Sequence, residues 1–418
     1  MSTAELMSWL RAPAAEQFPY DAVLRRYHSV GKHFVPTDTL ELLDQARAIL
    51  PRLGGPWPPV RILSAFLDSA LDKLDNRYDY PTYLALRLLE LPVIDDPIEL
   101  ALFAQSRCDR RTVQLLADVL AFELAAMQGR TTVLPTMRPP RDMVDKRIRH
   151  GLRAIQPALA RLALDRGLTD DGAVDRAQQV SAVVHADMSF TERRVVELSI
   201  LPVYTMHDEY LFIRVLQTFE TTFTLLAMHL RGAVAALAAG EVSRAVYFIS
   251  NSTTALREAA PLFSMLATMQ VESFRTFRQF TEGASAIQSR SYKLVESLCR
   301  RPDAERVDSP AYRSVPEVRG RVLAGQECTL DDAYTGASRS GDIAGSELER
   351  LAEAMTSFSA ALLRWRTTHY RLAVRMLGGA SGTGYTEGTP YLAASRTTPV
   401  FTTVEPVSNA APDNPIVV

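Results

Sequence analysis

A repeating pattern of apolar positions predicts a long amphipathic helix between residues 346 and 377. The apolar residues recur at alternating steps of three and four, which places them on one face of a helix. Ser346 and Glu349 have the spacing of a capping box, and Gly378 with Gly379 is a typical helix stop. The stripe includes one histidine, and its members are Leu348, Leu351, Met355, Phe358, Leu362, Trp365, His369, Leu372 and Met376.

A second apolar stripe predicts another long helix that begins near Thr205, with Asp208 at the spacing of a capping box. Helical periodicity dominates the rest of the chain, and no convincing run of alternating strand residues is found. The pattern therefore predicts an all-α fold. The second stripe consists of Phe212, Val215, Leu216, Phe219, Phe223, Leu226 and Leu230.

Changes in composition divide the chain into four segments. Residues 1–90 form an N-terminal helical segment, and residues 91–201 form a further helical region rich in Ala, Leu, Arg and Asp. Residues 202–395 hold both long stripes and the candidate chemistry, with a predicted loop region at residues 301–345. Residues 396–418 are rich in Thr, Ser, Pro and Ala, which predicts a mobile tail.

The composition of the chain argues against nucleic-acid and membrane partners. The formal net charge is −2 over 418 residues and no basic cluster is found, which argues against a nucleic-acid partner. Three widely separated cysteines favour reduced thiols over a disulfide framework. Neither an apolar signal segment nor an uninterrupted membrane span is found. These features predict a cytoplasmic protein that has no membrane partner.

His369 has two interpretations from its position. A histidine on an apolar stripe is usually a core residue hydrogen-bonded to a carbonyl group. A neutral imidazole on a rigid helix also suits the axial ligand of a haem iron, because the helix fixes the orientation of the ring. Position alone does not decide between them.

Five short motifs in chain order resemble those of the tryptophan 2,3-dioxygenase superfamily, the haem-dependent aromatic oxygenases. The resemblance is concentrated in residues 205–395, and the chain is identified as a divergent member with an additional helical region. The motifs are YPTYL at residues 80–84, HDEYLFI at 207–213, FRQF at 277–280 with ASAIQS at 284–289, WRTTH at 365–369 and GTG at 382–384.

The resemblance implies a helical bundle around a pocket for haem b, with His369 as axial ligand of the iron and with Trp365 and Ser285 near the haem. It implies an aromatic amino acid and dioxygen as reactants. It also implies a homotetramer, in which the tyrosine motif reaches a neighbouring chain's pocket. The implied substrate-binding residues are Arg278, Thr383, Phe212, Leu216, Tyr80 and Tyr83.

Leu216 departs from the family pattern, because this distal position often carries a histidine that accepts a hydrogen bond from the indole N–H. No other residue is assigned a catalytic role. The leading hypothesis is a dioxygenase that adds O2 to the indole ring of tryptophan or a tryptophan derivative. The first alternative is a haem-dependent monooxygenase that hydroxylates an aromatic amino acid or a modified tryptophan. The second alternative is a haem-binding sensor without catalysis.

Overall fold

The computed structural model describes residues 2–55, 57–92, 97–169, 172–341, 343–378 and 389–404. Within these ranges the regular structure is helical, and the only extended pairing is an isolated parallel bridge between Thr136 and Met206. The all-α prediction is confirmed.

The chain folds into two compact units, and each is made from separate stretches of sequence. Unit 1 comprises Met1–Leu91, Arg111–Thr218 and Thr268–Ala286. Unit 2 comprises Pro92–Arg110, Phe219–Ala267 and Ile287–Val418. The helices α7 and α11, whose bounds follow, each contribute residues to both units.

The first six helices form the N-terminal segment of unit 1, and five further helices follow it along the chain. Trp9, Phe18 and Phe66 lie at the centre of this segment, and their rings meet edge to face. Ser189 and Glu192 form a capping box at the start of α10, which stops the preceding chain from extending the helix. The helices are α1 (Ser2–Arg11), α2 (Tyr20–Val30), α3 (Thr37–Ile49), α4 (Pro58–Ala70), α5 (Tyr80–Tyr83), α6 (Leu86–Leu89), α7 (Pro97–Met127), α8 (Arg141–Arg161), α9 (Ala173–Asp187), α10 (Phe190–Leu198) and α11 (His207–Ala238).

The remaining helices belong to unit 2, except for α14, which belongs to unit 1. The long helix α20 packs against α12, α13 and α21 through its apolar stripe, which includes the buried Leu351, Phe358 and Leu362. These helices are α12 (Val242–Glu258), α13 (Ala260–Leu266), α14 (Val271–Arg278), α15 (Arg290–Cys299), α16 (Ala304–Val307), α17 (Pro310–Arg313), α18 (Pro316–Leu323), α19 (Leu330–Ser340), α20 (Gly345–Leu377) and α21 (Thr389–Thr397).

Two local predictions are wrong. The segment 301–345 is not a loop region, because α16, α17, α18 and α19 lie within it. Their starts carry proline or a capping side chain, such as Asp303 before α16. The capping box at Ser346 is also absent, since α20 begins one residue earlier and Ala344 at its N-cap provides no side-chain hydrogen bond.

Among the described residues, α11 alone is long and apolar enough to cross a membrane by length and composition. Within its most apolar window, 72% of the residues are buried inside the protein. Burial of this extent is typical of a core helix, whose apolar side chains pack against other helices.

Candidate functional site

The first turn of α11 is fixed by buried charged groups of α7 and α8. Arg147 on α8 is 1% exposed and donates to Asp208 Oδ1 at 2.6 Å and to Glu123 Oε1 at 2.8 Å. Glu123 on α7 also contacts His207 Nε2 at 3.2 Å. The Asp208 carboxylate accepts from the Gln270 backbone N–H at 2.7 Å, so the capping box predicted with Thr205 is replaced by tertiary contacts. Residues 111–201 therefore help to position α11.

Glu209 lies in the same turn and holds the backbone that precedes α11. Its carboxyl oxygens accept from the N–H groups of Val203 at 2.6 Å and Tyr204 at 3.0 Å, and from the Tyr83 hydroxyl at 3.3 Å. The residue is buried, and the loss of solvation raises its pKa to about 8 in spite of these donors. Glu209 thus joins the start of α11 to the tyrosine motif.

Tyr210 and Arg214 complete the attachment of α11 to α7. Both donate to Asp118 Oδ2, each at 2.7 Å, and the Tyr210 ring stacks on Phe122 with a centroid distance of 3.9 Å. The polar residues of the HDEY motif are therefore used by internal contacts. These contacts hold the start of α11 in place. The next turns of the helix carry the accessible apolar face that contains Phe212 and Leu216.

Phe212 and Leu216 are partly exposed, although their neighbours Ile213 and Val215 are fully buried. Leu216 lies one helical turn after Phe212, so both side chains share a face of α11. Leu216 has no polar atom, so this position provides no hydrogen-bond acceptor. The pair forms an apolar, accessible surface in unit 1.

Tyr80 and Tyr83 pack on this surface. Both are buried in a cluster with Ile213 and Ala284, and Phe212 and Leu216 pack against that cluster. The Tyr83 and Phe212 ring centroids are 6.4 Å apart. The resemblance implied that this motif reaches a neighbouring chain. In the single chain described here the motif packs on Phe212 and Leu216, and its contact with a neighbouring chain stays a prediction.

Arg278 ends α14, which lies beside the same surface. The ring of its neighbour Phe277 is buried, with its centroid 5.4 Å from that of Phe212. Arg278 is partly buried, and loss of solvation lowers the pKa of its guanidinium group. Ser285 is buried further along the same segment. Unit 1 therefore brings together the described residues predicted to bind substrate.

The predicted haem-binding residues of α20 lie in unit 2, inside a group of aromatic rings. Trp365 is surrounded by rings with centroids between 5.1 and 5.7 Å from its own. Its indole Nε1 is buried and has no hydrogen-bond partner in the described part of the chain. The surrounding rings are those of Phe219, Phe223, Phe263, Tyr292 and His369.

His369 is partly exposed, and its ring contacts Trp365 and Phe263 at centroid distances of 5.2 and 6.3 Å. Its apolar surroundings lower the pKa of the imidazole to about 4. The ring is therefore neutral at pH 7, which leaves a nitrogen lone pair available to a metal.

These residues fit a haem. The neutral imidazole of His369 would bind the haem iron, and the aromatic rings around Trp365 would supply apolar walls for the porphyrin. The unpartnered Trp365 N–H is a hydrogen-bond donor beside His369, as suits a cofactor that carries carboxylates.

Arg366 joins α20 to its surroundings in unit 2. Its Nε atom donates to the Tyr292 hydroxyl at 2.9 Å, and Nη1 donates to the Thr398 carbonyl oxygen at 2.8 Å. The segment after the predicted glycine-rich loop is thus attached to the helix that carries His369. Thr383 and the rest of that loop lie outside the described residues.

Sequence patterns missed several of these residues. Phe263 and Tyr292 lie on other helices, and Arg147 and Glu123 come from the region taken as an addition to the core. A buried arginine with acidic partners far away in the chain has no local signal. The only indication in the sequence was that Arg147 falls at a position on the buried face of α8.

The chain is similar in sequence to curated tryptophan 2,3-dioxygenases. It is 26% identical over 225 residues to a tryptophan 2,3-dioxygenase of Polaromonas sp. strain JS666, covering 46% of this chain and 76% of the relative. The enzyme of that name from Nocardioides sp. strain JS614 is 28% identical over 212 residues, covering 44% of this chain and 79% of the relative. No family model matches. Over a little under half of its length, the chain is a distant homologue of the tryptophan 2,3-dioxygenases.

Proposed function

We propose that this chain is a haem-dependent oxygenase that acts on tryptophan or a close derivative, with haem b as cofactor and dioxygen as co-substrate. The observation that carries the proposal is His369, a neutral imidazole that lies against Trp365 in an aromatic environment. Distant homology to tryptophan 2,3-dioxygenases supports the same reaction class. His369 is the residue that would bind the haem iron.

When bound, the haem supplies the activation of dioxygen, which amino-acid side chains cannot perform. The chain's own residues bind and orient the substrate. Arg278 is proposed to hold the substrate carboxylate, because a guanidinium group can donate two parallel hydrogen bonds to it. Thr383 is proposed to assist at the amino-acid end. Phe212, Leu216 and the tyrosine motif are proposed to contact the aromatic ring and to exclude water.

Leu216 favours a second candidate reaction. An unsubstituted indole has an N–H that Leu216 cannot accept, and leaving such a donor unpaired costs about 1–3 kcal/mol. A substrate whose indole nitrogen is substituted, or an aromatic amino acid without this group, avoids that cost. Leu216 thus bears on the substrate, and the second candidate is insertion of one oxygen atom into such a substrate instead of ring dioxygenation.

The first test is the visible absorbance spectrum of protein expressed with a supply of haem. We expect a Soret band that disappears in His369→Ala. The matched control is His229→Ala, because His229 also lies in unit 2 and its burial likewise lowers its pKa to about 4. Loss of the band in both variants, or no band in the wild-type protein, would contradict the assignment of His369.

The mass of the product then separates the reactions. Incubation with tryptophan or substituted indoles under 18O-labelled dioxygen should add two labelled atoms for a dioxygenase and one for a monooxygenase. A protein that binds haem and tryptophan but adds neither atom would be a sensor, and the oxygenase proposal would be wrong.

A further inference from the structure

We propose that a groove between α11 and α19 in unit 2 binds an elongated aliphatic molecule with a carboxylate at one end, the chemistry of a fatty acid. The groove has a volume of about 890 Å³. Volumes of about 300–1,000 Å³ are typical of sites for small molecules. None of the described residues that line the groove is proposed to bind haem or the amino acid, so binding there does not depend on the proposed function.

Two helices form the walls of the groove, and both present short side chains to it. On each helix the lining residues follow steps of three and one, which is the spacing of a single helical face. Because these side chains are short, space remains between the two helices. The residues are Val234, Ala235 and Ala238 on α11 and Ala333, Gly336 and Ala337 on α19.

The space between the walls is apolar and open. A Cβ atom at Gly336 would meet no heavy atom within 4 Å outside its own helix backbone. Leu237 and Leu298 also line the groove and are buried, so they form its apolar floor. No aromatic residue is present among the described residues that line it, so a flat ring would have no stacking partner. An aliphatic chain would instead bury its CH2 groups against alanine, valine and leucine.

One end of the groove carries an excess of positive charge. Glu327 Oε1 accepts hydrogen bonds from both Arg231 and Arg321, the second at 3.2 Å. Asp332 lies 3.8 Å from Arg301 and is part of the capping box of α19. Arg231 precedes the lining residues of α11, and Glu327 and Asp332 precede those of α19, so these charges lie at the same end. Three guanidinium groups there accompany two carboxylates, and an anionic head group matches the remaining charge.

Contacts within the chain hold α19 in place as a wall. The Thr329 hydroxyl accepts from the Asp332 N–H at 3.1 Å in the capping box. Asp331, in the same turn, is buried and accepts from the backbone N–H and the hydroxyl of Thr402, each at 2.7 Å. A site held in this way loses less conformational entropy when a ligand binds.

Cys328 provides a way to measure access to the charged end. Its side chain is exposed and lines the groove, whereas the other two cysteines of the chain, Cys108 and Cys299, are buried. The rate at which iodoacetamide alkylates the native full-length protein therefore measures access to Cys328. The probe is sodium dodecanoate below its critical micelle concentration, and calorimetric titration gives its stoichiometry and dissociation constant. Dodecyltrimethylammonium, which has the same chain and the opposite charge, is the control for the head group.

We expect one dodecanoate to bind per chain and to slow the alkylation of Cys328. Dodecyltrimethylammonium should bind more weakly by about tenfold or more, because its head group meets the excess of arginine. If dodecanoate does not bind, or if the two amphiphiles bind equally well, the proposal is wrong.

A glycine substitution tests the location. Gly336→Phe places a ring in the open space and should weaken dodecanoate binding by about tenfold or more. Its backbone does not adopt a positive φ, and glycine inside a helix is unfavourable, so the substitution should leave α19 folded. The matched control is Gly320→Phe on α18, where a Cβ atom also meets nothing within 4 Å and which does not line the groove. Unchanged binding in Gly336→Phe, or an equal loss in both variants, would place the ligand elsewhere and overturn the proposal.

A change of charge tests the head group. Glu327→Gln removes a negative charge that competes with the ligand, so dodecanoate should bind more tightly and dodecyltrimethylammonium more weakly. Affinities that change in the same direction, or not at all, would show general apolar association and contradict the proposal. Sedimentation of the same variants tests the other occupant. A wild-type dimer that Gly336→Phe dissociates would show that a second chain fills the groove, and the fatty-acid site would be wrong.

Discussion

Replacement of Arg147 by methionine tests the buried charge cluster that fixes the start of α11. Methionine keeps much of the length and the apolar stem of arginine but has no guanidinium group. Arg147 is 1% exposed and makes hydrogen bonds of 2.6–3.2 Å to Asp208, Glu123 and both oxygen atoms of Thr268. Its loss leaves two buried carboxylates without their cation.

The expected loss in the free energy of unfolding is about 3–5 kcal/mol, the range for removal of one partner from a buried charge pair. Total stabilities are about 5–15 kcal/mol, so this single change removes about a third to a half of a mid-range value of about 10 kcal/mol. Urea unfolding followed by circular dichroism measures the difference. The matched control is Arg149→Met, because Arg149 lies on the same helix and is exposed, so its replacement should change the stability by no more than about 0.5 kcal/mol.

Addition of Asp208→Asn to Arg147→Met should cost less than the sum of the two single changes, because the second change removes a charge that the first left unpaired. A loss of under about 1 kcal/mol in Arg147→Met would refute the reasoning. It would show that the cluster makes no net contribution and that other contacts hold α11.

Three further predictions concern unit 1. The pKa of Glu209 is raised by burial from its usual 4.5 to about 8, so the folded protein binds its proton more tightly than the unfolded chain and loses stability as the pH rises between these values. The free energy of unfolding of the wild type, less that of Glu209→Gln, should therefore decrease from about pH 5 to pH 8, and a flat difference would contradict this. Arg278→Ala should raise the KM for tryptophan by about 10- to 150-fold, as expected for 1.5–3 kcal/mol of a charged hydrogen bond, whereas the exposed Arg275→Ala should leave it within about twofold. If the wild type used the decarboxylated substrate equally well, Arg278 would not bind the carboxylate. Leu216→His should raise kcat/KM for unsubstituted tryptophan by about fivefold or more, and no gain would leave Leu216 as a packing residue.

Several features of the candidate site could be predicted from the sequence because they depend on residues close together in the chain. The stripe that contains Trp365 and His369 follows helical spacing, and the structure places both on α20 among aromatic rings. The pairing of Phe212 with Leu216 on one face of α11 follows from the same spacing. Local capping was less predictable. Ser346 has the spacing of a capping box and makes no cap, because α20 begins before it.

The roles of the charged residues could not be predicted, because their partners are distant in the chain. Asp208 has the spacing of a local cap, but Arg147 is 61 residues away and binds its carboxylate in the folded protein. Tyr83 and Glu209 are 126 residues apart, and only the folded structure shows the hydrogen bond between them.

The sequence by itself determined the helical class, the two long helices and the residues with suitable chemistry for haem and an amino acid, since periodicity and residue type are local properties. The tertiary structure alone decided that the 111–201 region helps to position α11, that four helices lie within residues 301–345, and that Tyr80 and Tyr83 pack beside Phe212. Those outcomes depend on which buried charges and apolar surfaces find each other when the chain folds. That choice is made by burial and desolvation across the whole chain, which a local pattern does not contain.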